Sequence, residues 1–101
     1  MNREQKAILA STPGHILKLE FLDGFHLTQM ELSRRTGIPR STINEIIKGK
    51  RPIGAETAFA LGTFFNMDPQ FWLNLQCRYD MRRVEIEKSA RILARVRPLV
   101  A

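Results

Sequence analysis

Cysteine occurs once in these 101 residues, at Cys77, which excludes an internal disulfide and a cysteine-built zinc cage within one chain. Histidine occurs twice, at His15 and His26, with no acidic or cysteine partner at ligand spacing, so no metal site is expected. No apolar run approaches the roughly 20 residues that a membrane-spanning helix needs. The opening residues Met1-Asn2-Arg3-Glu4-Gln5-Lys6 are polar and lack the apolar stretch of a secretion signal. A glycine-rich phosphate loop and a nucleophile elbow are both missing. Cys77 follows an apolar block and reads as a small packing residue, not a nucleophile. These absences point to a soluble cytoplasmic binding protein with no membrane association, no cofactor and no enzymatic activity.

What the chain does have is positive charge, and its placement is uneven. Sixteen Lys and Arg against ten Asp and Glu leave +6, a balance that favours an anionic partner such as nucleic acid. From Met1 to Leu27 three basic residues cancel three acids. From Thr28 to Arg51 six basic residues meet only Glu31 and Glu45, giving +4. The stretch Pro52–Cys77 carries only Glu56 and Asp68, and the tail from Arg78 onward is again +4. Charge alone is equally compatible with two solvated faces.

The punctuation predicts helices joined by short turns and no strand. Thr12-Pro13 has the form of an N-cap followed by proline in the first turn, and the helix it opens should stop near Gly24 in a left-handed cap. Thr28 and Glu31 form a capping box for a second helix ending at Gly37. A third starts at Pro39 or Arg40 and ends at Gly49. A fourth covers Ala55–Phe65 and is closed by Asn66, and Asp68-Pro69 opens a fifth. Beyond Asp80, residues 81–96 form a helix-prone tail that Pro98 ends. The fold class is therefore all-α, built of five or six short helices. Residues 1–11 are expected to be loose, residues 12–80 to form the domain, and residues 81–101 to form a C-terminal helix and tail.

The most informative stretch is residues 28–48. Leu32, Ile38, Ile43 and Ile46 are spaced so that two helices meet across Gly37, and Ser33 is small where they approach. With those positions buried, Arg40, Ser41, Asn44, Glu45 and Lys48 point outward on the third helix. That set can read donors and acceptors in a DNA major groove. Arg40 and Ser41 lie in the first turn, where arginine can pair with guanine. Asn44 suits adenine or a phosphate. Glu45 must either accept from cytosine or be neutralised by Arg40 or Lys48, and the pairing is the favoured reading. Thr42, Lys48, Lys50 and Arg51 are placed for phosphates, which orient a protein on DNA without carrying sequence information.

Gln29, Leu32, Gly37, Ile38, Ile43, Ile46 and Gly49-Lys50-Arg51 resemble the helix-turn-helix of the Xre/Cro repressor superfamily. Pro13-Gly14, Ile16-Leu17, Phe21-Leu22, Leu27-Thr28-Gln29, Ser41–Ile47 and the block Phe71-Trp72-Leu73-Asn74-Leu75-Gln76 with Tyr79-Asp80 look like HigA-type (VapI-like) antitoxins, over about Thr12–Met81. Ser33, where the superfamily usually has alanine, and Pro39, where it has a hydroxyl cap, are departures. So are Thr12 and His15, where the antitoxins often have histidine and glutamate.

The resemblance implies a five-helix lambda-repressor-like DNA-binding domain with an extra C-terminal helix. It also implies that Gln29 supports phosphate and base contacts. It implies a homodimer that represses its own operon at a palindromic operator on double-stranded DNA and neutralises a HigB-like mRNA interferase toxin by direct binding. Phe71, Trp72, Leu73 and Leu75 make the fifth helix apolar nearly all round, more than one small core can cover. Phe71, Trp72, Leu75 and Tyr79 are therefore the expected dimer interface, with Asn74 and Gln76 at its rim. The tail stripe Ile86, Ala90, Leu93 and Val96 has three open roles: dimer extension, packing on its own domain, or toxin binding. The alternative function is a stand-alone Xre-family transcriptional regulator without a toxin. A third is a protein-interaction module whose helix-turn-helix no longer binds DNA. RNA binding is weaker still, because the groove face has no aromatic residue for stacking.

Overall fold

A computed structural model describes residues 1–100, and among them every regular element is helical. In chain order these are α1 (Arg3–Ala10), α2 (Pro13–Ile16) continued by a π-helical stretch (Leu17–Leu22), α3 (Gln29–Thr36), α4 (Arg40–Ile47), α5 (Ala55–Phe65), α6 (Gln70–Glu87) and α7 (Ser89–Arg95). The expected all-α architecture forms, and α3, α4 and α5 fall where their caps and glycines put them.

The N-terminus differs from the expectation. Residues 3–10, expected to be loose, form α1. Asn2 and Gln5 make a reciprocal capping box, with the Gln5 amide donating to Asn2 Oδ1 at 2.7 Å and the Asn2 amide to Gln5 Oε1 at 3.0 Å. The helix then docks on α6, where Tyr79 Oη donates to the Leu9 carbonyl at 3.1 Å.

The end of the next helix also differs. Gly24 is not a left-handed cap: the residue with positive φ is His26, at 56°. The helix unwinds instead through i→i−5 bonds, Asp23 N to Lys18 O at 2.9 Å and Leu27 N to Leu22 O at 2.7 Å. Gly24 is small for another reason, since a Cβ there would overlap the Glu20 carbonyl.

The third difference is at the far end. No break occurs at Asp80. The helix opened by Asp68, whose Oδ1 accepts from the Gln70 amide at 2.9 Å, runs unbroken to Glu87. Arg82–Glu85 and Arg83–Glu87 pairs support its second half. The bend comes at Lys88 (φ −131°, ψ −4°), and α7 stops at Arg95, before Pro98.

The core consists of Leu17, Leu22, Leu32, Ile38, Ile43, Ile46, Ile53, Ala58, Leu61 and Trp72. The four motif positions Leu32, Ile38, Ile43 and Ile46 are all in it, so α3 and α4 are clamped at their shared face. Trp72 corrects the expected interface. It is fully buried among Phe21, Phe65 and Phe71 of its own chain, and its side chain has no surface left for a partner.

Candidate nucleic-acid interface

The interface is built on the turn between α3 and α4. Thr28 Oγ1 accepts from the Glu31 amide at 3.0 Å, and Glu31 Oε1 accepts from the Thr28 amide at 3.3 Å, which fixes where α3 begins. Gly37 ends it at φ 79°, with nothing near its missing Cβ, so glycine is needed there for backbone sign and not for space. Two hydroxyls then staple the turn. Ser33 Oγ donates to the Ile38 carbonyl at 2.6 Å; Thr36 Oγ1 donates to the Leu32 carbonyl at 2.6 Å and accepts from the Ile38 amide at 3.2 Å. The departure from alanine at Ser33 thus has a physical role. Replacing Ser33 with alanine leaves the carbonyl of buried Ile38 without this donor and is expected to cost about 1 kcal/mol, readable as a lower urea midpoint at unchanged slope.

Pro39 caps α4 with extended backbone (φ −56°, ψ 139°) and no side-chain bond, so the helix starts at Arg40. Its first-turn amides are left without a side-chain cap. With Ile43 and Ile46 buried against α2 and α3, Arg40, Ser41 and Lys48 are exposed, while Thr42, Asn44 and Glu45 are half-buried. One turn apart, Arg40 and Asn44 share the flank of α4 next to α3. Asn44 Nδ2 donates to Gln29 Oε1 at 3.3 Å, joining the outward faces of the two helices. That bond engages the Gln29 carbonyl and leaves its amide N–H groups and the Asn44 carbonyl without another side-chain hydrogen bond among the described residues. Neighbouring donor and acceptor groups of this kind match an adenine edge.

The other flank is arranged differently. Glu45 Oε2 accepts from Arg51 Nε at 2.9 Å, so the carboxylate is neutralised as expected but by Arg51, not by Arg40 or Lys48. Thr42 faces a cleft shared with Pro39, Arg51 and Thr57, apart from the Gln29–Asn44 pair. Lys48 and Lys50 are exposed beside α4. Of the other basic residues in this block, Arg35 lies 4.9 Å over the Phe64 ring, on the side of α3 that packs towards α5. Gln76 is not a rim residue: its Oε1 accepts from the Ile53 amide at 2.9 Å. The Gln29–Asn44 link depends on how α3 and α4 cross and the Glu45–Arg51 link on the path of the loop after α4, so neither has a signal in spacing.

Among the described residues, no group of three His, Cys, Asp or Glu side chains comes together as a metal site, and no helix is long and apolar enough to cross a membrane.

Residues 20–72 match the helix-turn-helix family. The virulence-associated protein I of Dichelobacter nodosus is 38% identical over 78 residues, 77% of this chain and 72% of that protein. The Pseudomonas aeruginosa antitoxin HigA, solved with the higBA promoter, superposes with a TM-score of 0.82 at 34% identity, covering 88% of this chain and 97% of that one. The antitoxin GraA in complex with its operator gives a TM-score of 0.83 at 33% identity, covering 89% and 91%.

Proposed function

The chain belongs to the helix-turn-helix family, among its HigA-type and VapI-like members, and from that premise we propose that it is a cytoplasmic antitoxin that binds an operator and represses its own operon. The reading places the DNA-binding motif at 28–48 within one helical domain that includes α1 and the whole of α6, with α7 as its C-terminal extension. The mechanism is stoichiometric binding, not turnover.

The observation that carries it is the outward face of α4, with Arg40, Ser41 and Lys48 exposed and Asn44 tied to Gln29. Arg40, Ser41 and the Gln29–Asn44 pair read bases in the major groove. Thr42, Lys48, Lys50 and Arg51 hold phosphates. Glu45 contributes by fixing Arg51.

A two-fold dimer would set two α4 helices about 34 Å apart, one turn of a palindromic operator. Phe71, 41% exposed, and the half-buried Leu75 and Tyr79 are its proposed contacts, without Trp72. Leu75 and Tyr79 line an apolar groove against Ala7 and Ile8 of α1, which supports a self-contact there.

Binding of the chain to DNA upstream of its reading frame is expected to weaken steeply with salt. Replacing Arg40, Ser41 and Asn44 together with alanine removes contacts worth about 1–3 kcal/mol per good base pairing. A gel-shift affinity at least about a hundredfold weaker is expected, with an unchanged circular dichroism spectrum. Equal affinity of the triple variant would mean that this face is idle. Toxin neutralisation by direct binding is tested by co-purification with a small basic protein encoded next door. Where that protein is missing and the operator is still bound, the chain is a stand-alone regulator.

A further inference from the structure

The two basic blocks of the sequence meet in space. Arg83, the third of seven basic residues in the C-terminal block, lines a groove of about 210 Å³ together with Thr12, Lys50, Arg51, Gln76 and Asp80. That volume is several times the ~30 Å³ share of one water. Three cations face one carboxylate there, and the carboxylate is engaged: Gln76 Nε2 donates to Asp80 Oδ1 at 2.9 Å. Because Gln76 also holds the Ile53 amide, it fastens the loop carrying Lys50 and Arg51 to the helix carrying Arg83.

Both arginines are oriented in the same way. Arg51 gives its Nε to Glu45 and Arg83 gives its Nε to Glu87, at 2.9 and 2.8 Å. Among the described residues, neither guanidinium has another hydrogen-bond partner, so the terminal nitrogens of both remain available for a bidentate anion. Glu87 raises the Arg83 pKa above its ordinary value, first through this hydrogen bond and then through its charge, and a guanidinium is in any case always a cation in a protein.

We propose that Arg83 and Lys50, with Arg51, form a phosphate clamp that grips the nucleic-acid backbone outside the helix-turn-helix, an inference that rests on the DNA-binding reading above. The groove adjoins the end of α4 through Gly49-Lys50-Arg51, so a duplex seated on α4 continues towards it. The clamp carries no sequence information. It gives the C-terminal block, whose purpose spacing left open, a share in affinity.

The test measures affinity of the full chain for two short duplexes, one from the DNA upstream of its reading frame and one scrambled, between about 50 and 200 mM salt. Arg83→Gln is expected to reduce the slope of log affinity against log salt by about one. It should also weaken both duplexes alike, about fivefold to tenfold near 0.1 M salt. Arg83→Lys restores the slope. Glu87→Gln breaks the same intrahelical pair but keeps the cation and retains the slope. If Arg83 merely stiffened α6, Glu87→Gln and Arg83→Gln would behave alike, and that result overturns the clamp. Lys18→Gln, on a cation that likewise pairs with a carboxylate, Asp23, and lines neither this groove nor the one between α1 and α6, serves as the control and leaves the slope unchanged. A wild-type slope for Arg83→Gln with DNA binding intact overturns the clamp alone. Failure of the unmodified chain to bind either duplex overturns the clamp and the DNA-binding reading together.

Discussion

Replacing Gly14 with alanine is expected to cost about 3 kcal/mol or more and to abolish DNA binding at ordinary temperature. Gly14 is buried in the first turn of α2, where that helix crosses the end of α4. A Cβ at Gly14 would overlap the Ile46 carbonyl and stand 2.9 Å from Ile47 Cα. All of these are backbone atoms, so no side chain can rotate aside. Either α2 lifts away from α4, exposing Leu17, Ile43 and Ile46, or α4 shifts with its whole outward face. Overpacking typically costs about 1–3 kcal/mol, and a clash against rigid backbone belongs at or beyond the top of that range. A domain of this size holds only about 5–15 kcal/mol in total. Urea unfolding followed by circular dichroism measures the loss, and a midpoint within error of wild type would show that the crossing can relax. Gly37→Ala makes a useful contrast. It meets no neighbour and costs only the strain of φ 79°, about 1 kcal/mol.

Which parts of this structure were legible in advance depends on where the deciding interaction lies. The ends of α3, α4 and α5 are set by residues within four positions of each cap: Thr28 with Glu31, Gly37 at φ 79°, Gly49 at φ 75° and Asn66 at φ 54°. Such local signals survive without knowledge of the fold. The outward face of α4 followed by subtraction once Ile43 and Ile46 were assigned inward. α1 was missed although its capping box is local. Asn2 and Gln5 sit in a polar stretch, and the helix is held by Tyr79, 70 positions away. Spacing puts the break at Asp80, where the apolar block ends, whereas the chain bends at Lys88. In fact ion pairs carry α6 a further two turns. The π-helical stretch Leu17–Leu22 has no composition of its own to announce it.

The site divides along the same line. Side-chain types on α4 and their direction were legible. Their partners were not: Asn44 bonds a residue 15 positions earlier and Glu45 one 6 positions later. The proximity of Arg83 to Lys50 depends on α6 passing behind the loop after α4, a fact of topology invisible to charge counting. Trp72 shows the converse problem. An all-round apolar helix has no face that spacing can single out, so its most buried residue was placed on the outside.

That misplacement yields the other large prediction. Trp72→Ala is expected to cost about 3–5 kcal/mol, the range for emptying a buried aromatic site. The indole contacts Phe21 at 4.7 Å and Phe71 at 5.2 Å between ring centroids, so its loss also loosens the link between α6 and the end of the π-helical stretch. Trp72→Phe is expected to be far milder, about 1–2 kcal/mol, for a specific reason. Indole Nε1 is buried and has no hydrogen-bond acceptor, a state that costs about 1–3 kcal/mol in the native protein. Phenylalanine leaves a smaller void than alanine and deletes that stranded donor, so the cavity cost and the relieved desolvation oppose each other. Both variants are compared by circular dichroism in urea, since the only tryptophan is gone. Equal losses for Phe and Ala would show that the N–H is satisfied in solution and that the indole is there for its polar edge as well as its area. Because Trp72 lies in the core and not on α4, Trp72→Phe well below its unfolding midpoint should keep wild-type affinity for DNA. That result would separate the residues that build this fold from those that read the groove.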